Sequence, residues 1–225
     1  MTTLAKNIAI KVCGMRDHQN IMQVASLSPQ YLGFIFYPHT PRFVGWDFTV
    51  PQDLPATIKR VGVFVNESND VVITKGKAHG LDLIQLHGNE TVMQCEELKA
   101  TGLHVDKVFS VDDNFDFDIT DSFKKAVDYF LFDTKGKYYG GNAKTFNWSV
   151  LKKYKQEIAF FLSGGLSPEN VVDLEEILKM NLHALDLNSG VESSPGIKDP
   201  EKIKGVVGGL ATINTTNINT STLKK

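Results

Sequence analysis

The stretch that decides the fold is Ile8-Ala9-Ile10-Lys11-Val12-Cys13-Gly14, near the start of the 225-residue chain. Side chains alternate between the two faces of a strand, so the isoleucines and the valine point one way while Lys11 and Cys13 point the other. The glycine that follows the thiol lets the chain turn sharply. We interpret this segment as a short strand with one polar face and a cysteine at its C-terminal end.

Seven further runs rich in β-forming residues follow the first, with helical patterns between most of them. The eight runs begin near residues 8, 31, 61, 81, 105, 129, 158 and 184. Alternating strands and helices predict a parallel sheet with crossover helices. Eight such units on a chain of this length favour a closed (β/α)8 barrel, the TIM barrel, over an open sheet. We therefore predict a single-domain α/β protein in which the barrel occupies residues 1–210.

Two segments are predicted to depart from the regular pattern. Pro51 and Pro55 lie where the second helix of a barrel would run, and proline disrupts a helix interior, so this helix is predicted to be irregular. From Ala211 onward the chain is rich in threonine and asparagine and poor in apolar residues. We predict that residues 211–225 form a frayed, flexible tail.

The composition excludes several classes of protein. A formal charge of −2 provides no basic surface for nucleic acid, and no apolar run reaches the roughly 18 residues of a membrane span. With only Cys13 and Cys95 present, a disulfide framework is not expected, and the reducing cytoplasm is the expected compartment. Neither cysteine belongs to a cluster with metal-ligand spacing. No decisive apolar stripe marks the outer faces of the barrel, so monomer and homodimer both stay open.

Polar side chains collect at the C-terminal ends of the predicted strands, where (β/α)8 barrels carry their active sites. They share one strand parity and are Lys11, Cys13, Gln85, His87, Asp133, Asp186 and Asn188. A carboxylate that ends an apolar strand is costly unless it is paired or solvated, so Asp133 and Asp186 favour a functional role. Simpler roles stay open for two others: Cys13 as a small buried apolar residue, and His87 as a local cap.

Two glycine-bearing turns follow the last two strands. They are Ser163-Gly164-Gly165 and Ser189-Gly190. Glycine lets backbone N–H groups approach an anion closely, and the loops after strands seven and eight of a (β/α)8 barrel commonly hold a substrate phosphate. We predict a phosphate site here, with simple turn chemistry as the alternative.

Several stretches, in order along the chain, carry a family resemblance. They are Lys11–Met15, Gly33–Arg42, Val61–Asn66, Gln85–Gly88, Phe132–Thr134, Gly140–Gly141, Lys144–Trp148, Ser163–Val171, Asp186–Glu192 and Pro195–Asp199. Together they resemble the phosphoribosylanthranilate isomerases of tryptophan biosynthesis. The resemblance implies a phosphorylated small-molecule substrate and an Amadori rearrangement, in which N-(5-phospho-β-D-ribosyl)anthranilate becomes 1-(2-carboxyphenylamino)-1-deoxy-D-ribulose 5-phosphate. It implies no metal or organic cofactor, because the substrate's own nitrogen acts as the electron sink.

The resemblance also implies a role for each matching residue. Cys13 resembles the general base that takes the C2′ proton, and Asp133 resembles the general acid that protonates the ribose ring oxygen. Arg42 resembles the residue that engages the anthranilate, while Gln85, His87 and Asp186 resemble further lining of the pocket. The turns at Gly164-Gly165 and Ser189-Gly190 resemble the phosphate site. We add the hypothesis that Lys11 favours the thiolate form of Cys13 electrostatically.

Two other functions are open alternatives. An aminoaldose isomerase of histidine synthesis resembles a design with an aspartate base at the end of strand one, and Cys13 argues against it. A phosphate-binding barrel without catalysis would be expected to lack the base or the acid, yet Cys13 and Asp133 are both present.

Overall fold

Eight parallel strands close into a barrel in the computed structural model, which describes residues 8–134 and 147–222. The strands are β1 (Ala9–Val12), β2 (Tyr31–Ile35), β3 (Lys59–Phe64), β4 (Leu83–Leu86), β5 (His104–Val111), β6 (Tyr129–Thr134), β7 (Phe160–Leu162) and β8 (Leu182–Leu187). Each strand pairs with the next, and β8 pairs with β1 so that Lys11 stands opposite Asp186. The predicted (β/α)8 barrel is confirmed, and every strand begins within two residues of its predicted start.

The connections between strands are less regular than the strands. The α-helices are α1 (His18–Ala25), α2 (Asn69–His79), α3 (Val92–Ala100), α4 (Glu175–Leu178) and α5 (Pro200–Thr222). Short 3-10 helices cover Phe117–Phe123, Trp148–Lys153, Val171–Leu174 and Ser189–Val191, and a hairpin of β9 (Glu192–Ser194) and β10 (Ile197–Lys198) follows β8. Residues 36–58, all of them described, contain turns and no helix, as the two prolines predicted.

Local capping signals explain where two of the helices begin. The Asp17 side chain accepts a hydrogen bond from the backbone N–H of Asn20, which satisfies a free donor in the first turn of α1. Thr91 and Gln94 form a reciprocal capping box at the start of α3. In the part of the chain that the structure describes, no helix is long and apolar enough to cross a membrane.

The last helix is longer than predicted. Helix α5 continues through residues 211–222, where we predicted a frayed tail, and the side chain of Ile213 is only 8% exposed. Val206 and Leu210 are buried on the same helix, and the steps of four and three residues from Val206 to Leu210 to Ile213 form an apolar face. The Thr- and Asn-rich composition concealed this spacing, and the helix continues past residue 210. The flexibility of residues 211–225 stays a prediction.

The interior of the barrel changes from apolar to polar toward the C-terminal ends of the strands. The part further from those ends is filled by a cluster of apolar side chains: Val61, Leu83, Val108, Leu131, Phe161 and Ala184. Two residues further along the same strand faces stand Gln85, Asp133 and Asp186. The apolar layer supports a polar floor beneath the mouth of the barrel.

Candidate active site

A pocket opens at the C-terminal ends of the strands. Eight of the ten predicted site residues line it: Cys13, Gln85, His87, Asp133, Gly164, Gly165, Asp186 and Ser189. Arg42 and Gly190 lie outside this lining. Because residues of one strand parity converge on one mouth, the pocket brings together side chains that are up to 176 residues apart in sequence, such as Cys13 and Ser189.

A continuous row of polar contacts crosses the floor of the pocket. Lys11 Nζ lies 3.1 Å from Asp186 Oδ1 and also donates a hydrogen bond to Gln85 Oε1. Gln85 Nε2 lies 3.1 Å from His87 Nδ1, and His87 Nε2 lies 3.3 Å from Asp133 Oδ2. All five residues line or underlie the pocket, so a change of charge at one of them acts on its neighbours.

The two charges at the start of this row are fully buried. Burial opposes ionisation of Asp186 and raises the pKa of its carboxyl, while the Lys11 ammonium acts in the opposite direction. Burial also disfavours the Lys11 ammonium, but Asp186 and other nearby groups outweigh it, so the pKa of Lys11 is raised. Each charge of the pair therefore stabilises the other, because either charge alone would be costly in this buried position.

Cys13 lies at the end of β1 and is 2% exposed. Its backbone N–H donates to the carbonyl of Leu187, and Gly14 follows with a φ of +76°, which turns the chain away from the pocket. Burial raises the pKa of the Cys13 thiol to about 11, although the positive charges of Lys11 and Lys198 act against the rise. Lys11 thus favours the thiolate as we hypothesised, but its effect is smaller than that of burial.

Gly33 on β2 makes room for this thiol. A β-carbon on Gly33 would lie 2.7 Å from Cys13 Sγ, closer than such atoms approach. The glycine belongs to a stretch that carries the family resemblance, but the sequence alone gave no reason for it. Its role follows from the pairing of β1 with β2.

Arg42 is held beside the pocket by a carboxylate. Its Nε and Nη2 donate to the two oxygens of Glu192 at 2.8 and 2.6 Å, a bidentate pair. Lys198 Nζ also donates to Glu192 Oε1 at 2.6 Å. Burial opposes ionisation of Glu192, but Arg42 and Lys198 outweigh it and hold the pKa of the carboxyl below its usual range. Sequence reasoning missed roles for Glu192 and Lys198, although both stand in stretches that carry the resemblance.

The turn after β7 exposes backbone to the pocket. Gly164 and Gly165 have φ of +96° and +68°, a region that favours glycine. A β-carbon on Gly164 would lie 2.1 Å from Thr134 Oγ1, so no larger residue fits without displacement. Ser189 starts a short 3-10 helix in the lining, whereas Gly190 packs against the carbonyl of Leu166. Of the four residues predicted to form the phosphate site, Gly164, Gly165 and Ser189 line the pocket. Gly190 lies behind the lining.

Comparisons with known proteins identify relatives of this chain. A sequence model of N-(5'-phosphoribosyl)anthranilate (PRA) isomerase matches residues 10–208. The N-(5'-phosphoribosyl)anthranilate isomerase of Phocaeicola vulgatus is 42% identical over 201 residues, which are 89% of this chain and 97% of that protein.

Two solved structures have the same fold. The phosphoribosyl anthranilate isomerase of Thermotoga maritima superimposes with a TM-score of 0.79 at 30% identity, covering 92% of this chain and 100% of the other. A phosphoribosyl anthranilate isomerase in complex with reduced 1-(o-carboxyphenylamino)-1-deoxyribulose 5-phosphate gives a TM-score of 0.77 at 28% identity, with the same coverage. The chain belongs to the N-(5'-phosphoribosyl)anthranilate isomerase family.

Proposed function

We infer that this protein catalyses the isomerisation of N-(5-phospho-β-D-ribosyl)anthranilate to 1-(2-carboxyphenylamino)-1-deoxy-D-ribulose 5-phosphate in tryptophan biosynthesis, with Cys13 as base and Asp133 as acid. The observation that carries the assignment of roles is that a thiol and a carboxyl group line one pocket together with the Gly164-Gly165 turn. The solved relative that holds a reduced form of the product supports this class of ligand.

The reaction begins with the opening of the ribose ring. Asp133 gives a proton to the ring oxygen, the C1′–O bond breaks, and the substrate nitrogen forms an iminium with C1′. His87 Nε2 lies 3.3 Å from Asp133 Oδ2, within reach of the carboxylate that ring opening leaves behind. The open pocket mouth lets the new hydroxyl group move away from the carboxylate.

Proton abstraction from C2′ follows. The iminium acidifies this hydrogen, and the Cys13 thiolate takes the proton to leave an enolamine, which tautomerises to the keto product. The cycle closes when a proton passes from the Cys13 thiol through solvent to the Asp133 carboxylate. Because burial keeps the thiol neutral in the free protein, positive charge near Sγ is needed to form the base.

The two ends of the substrate carry negative charge and need separate sites. We assign the phosphate to the backbone N–H groups of Gly164 and Gly165 and to Ser189, with Gly190 supporting the turn. We assign the anthranilate carboxylate to Arg42, because Glu192 occupies Nε and Nη2 and leaves Nη1 outside these bonds. Gln85 and Asp186 form the floor between the two ends.

A direct assay tests the function. Freshly prepared phosphoribosylanthranilate is mixed with the purified protein, and the change in its anthranilate fluorescence is followed on conversion. We expect an enzyme-dependent change proportional to protein concentration. A rate no faster than spontaneous decay of the substrate would contradict the assignment. Cytoplasmic location and the choice between monomer and homodimer stay predictions from the sequence.

A further inference from the structure

A second buried ammonium lies against Gly14, the residue that follows the proposed base. Lys198 on β10 has a side chain with no exposed surface, and its Nζ donates to Glu192 Oε1 at 2.6 Å and to Asn188 Oδ1 at 2.7 Å. A β-carbon placed on Gly14 would lie 3.4 Å from the same Nζ. The ammonium therefore packs against the residue that directly follows Cys13.

The position of Lys198 does not depend on its charge. Its backbone N–H donates to Asn20 Oδ1 at 2.8 Å, and its carbonyl accepts from Asn20 Nδ2 at 2.8 Å. These two bonds fix β10 against α1 whatever side chain residue 198 carries. A neutral side chain of similar length can therefore replace the lysine without releasing the hairpin.

The buried cluster around Lys198 carries more positive than negative charge. Arg42 and Lys198 are cations, and Glu192 is the anion that binds both. Burying an uncompensated charge is costly, so a site of this kind favours an anion brought close to it. Gly14, which follows Cys13, packs against both Arg42 and Lys198, and a Cys13 thiolate is such an anion. Lys11 contributes less surplus charge, because Asp186 already pairs with it.

We propose that Lys198 is a positioning residue for the isomerisation: its ammonium holds Glu192 against Arg42 and favours the thiolate form of Cys13. The proposal rests on the role of Cys13 given above and extends it to the β9–β10 hairpin, which lies outside the barrel strands. Electrostatics agrees with the geometry, since Lys198 acts against the rise that burial causes in the pKa of Cys13.

Other charged and titratable groups lie around the same pocket, and the test must hold them constant. They are Lys11 from β1, Asp186 from β8, His87 at the end of β4 and Asp133 from β6, all of which line or underlie the same pocket. Substitution of Lys198 leaves all four in place. Any change in the ionisation of Cys13 is then assigned to residue 198.

The thiol can be titrated directly in the full chain. Cys13 and Cys95 are the only cysteines, so a Cys95→Ala background leaves Cys13 as the single thiol. The thiolate absorbance near 240 nm is recorded against pH for this parent and for Lys198→Met in the same background. We expect Lys198→Met to raise the midpoint by about one pH unit, a tenfold lower thiolate fraction at neutral pH. An unchanged or lowered midpoint overturns the proposal.

Matched variants separate charge from shape. Lys204→Met removes an exposed lysine of the same C-terminal region and is expected to leave the midpoint unchanged. Lys198→Arg keeps the charge, so its thiol midpoint is expected to lie close to that of the parent. If Lys198→Met loses its folded circular dichroism spectrum, Lys198→Gln provides the same comparison, because its amide can still donate to Glu192.

Kinetics then connects the charge to the reaction. In Lys198→Met we expect kcat to fall about tenfold and the acidic limb of the kcat profile to move to higher pH together with the thiol midpoint. A fall in kcat with an unmoved limb would reduce Lys198 to a structural role and contradict the proposal. The thiol titration does not depend on whether Cys13 is the base, so failure of that assignment is distinguishable.

Discussion

The Nε2 atom of His87 lies 3.3 Å from Oδ2 of Asp133 inside the pocket. The row of contacts beneath them determines which ring nitrogen carries the proton. Because the Lys11 ammonium can only donate, the oxygen of Gln85 faces it, and the amide nitrogen of Gln85 then donates to His87 Nδ1. The neutral ring must carry its proton on Nε2, directed at Asp133. A donor at this position favours the carboxylate that Asp133 becomes once it has given its proton to the ring oxygen.

Replacement of Asp133 by asparagine should remove the acid and keep the fold. Loss of a positioned proton donor is expected to lower kcat by about 10²–10⁴-fold. The asparagine oxygen can still accept from the N–H of Thr134, as Asp133 Oδ1 does at 2.8 Å. Steady-state kinetics and circular dichroism of Asp133→Asn test this expectation. Turnover within a few-fold of the wild type would show that another group supplies the proton.

The two cysteines provide a matched pair for the base. Both are buried, and burial raises the pKa of each thiol to about 11, but Cys13 lines the pocket and Cys95 lies on α3. We expect Cys13→Ala to lower kcat by about 10²–10⁴-fold and Cys95→Ala to leave it nearly unchanged. Each alanine removes a small buried side chain, so the free energies of unfolding should change similarly. Equal losses of activity in both variants would contradict the role of Cys13.

Removal of Arg42 should weaken substrate binding more than it slows turnover. Arg42→Met leaves Glu192 paired with Lys198, so the β9–β10 hairpin keeps its partner. The loss of a charge-assisted contact to the anthranilate carboxylate is expected to raise KM by about 10- to 100-fold. Arg60→Met, at the opposite end of the barrel, serves as the control. A variant of Arg42 with an unchanged KM would remove this residue from the substrate site.

The fold could be predicted from the sequence because strands of a barrel are local, short and apolar on one parity. The polar side chains at the strand ends around Cys13 could be predicted from the same alternation of strand faces. The contacts of Glu192 and Lys198 with Arg42 could not be predicted, since they depend on where a hairpin outside the barrel docks. The ionisation of Cys13 could be predicted only in part, because Lys11 is visible in the sequence whereas the extent of burial is not.

Substitution of Gly164 should disturb the phosphate turn through a specific clash. A β-carbon there would meet Thr134 Oγ1 at 2.1 Å, whereas Gly45, with a similar φ of +103°, has no atom within 4 Å of such a carbon. Alanine at either position carries the strain of positive φ, about 1–2 kcal/mol. Gly164→Ala should therefore also raise KM about tenfold or more, while Gly45→Ala should only lower the free energy of unfolding. Equal KM values in the two variants would contradict a phosphate role for this turn.

Asp106 is a buried carboxyl group that the proposed reaction does not use. It is fully buried on β5, where it stands opposite Gln85 and Tyr129, and neither of its oxygens has a hydrogen-bond partner among the described residues. Burial raises the pKa of Asp106 to about 7, and Lys11 only partly opposes the rise. The folded protein therefore keeps a proton that the unfolded chain releases near pH 4.

This difference in proton binding predicts a decline of stability with pH. Between pH 5 and 7 the unfolded chain is ionised at Asp106 while the folded protein is neutral there, so each unit of pH favours unfolding, and the effect levels off above the folded pKa. Asp106→Asn removes this contribution, so its free energy of unfolding should decline by about 2 kcal/mol less over this interval. Urea denaturation of both proteins at pH 5 and pH 8 measures the difference, with Asp113→Asn, a substitution of an exposed carboxylate, as the control. Parallel declines in the wild type and Asp106→Asn would mean that Asp106 is already ionised in the folded protein, with Lys11 compensating its charge.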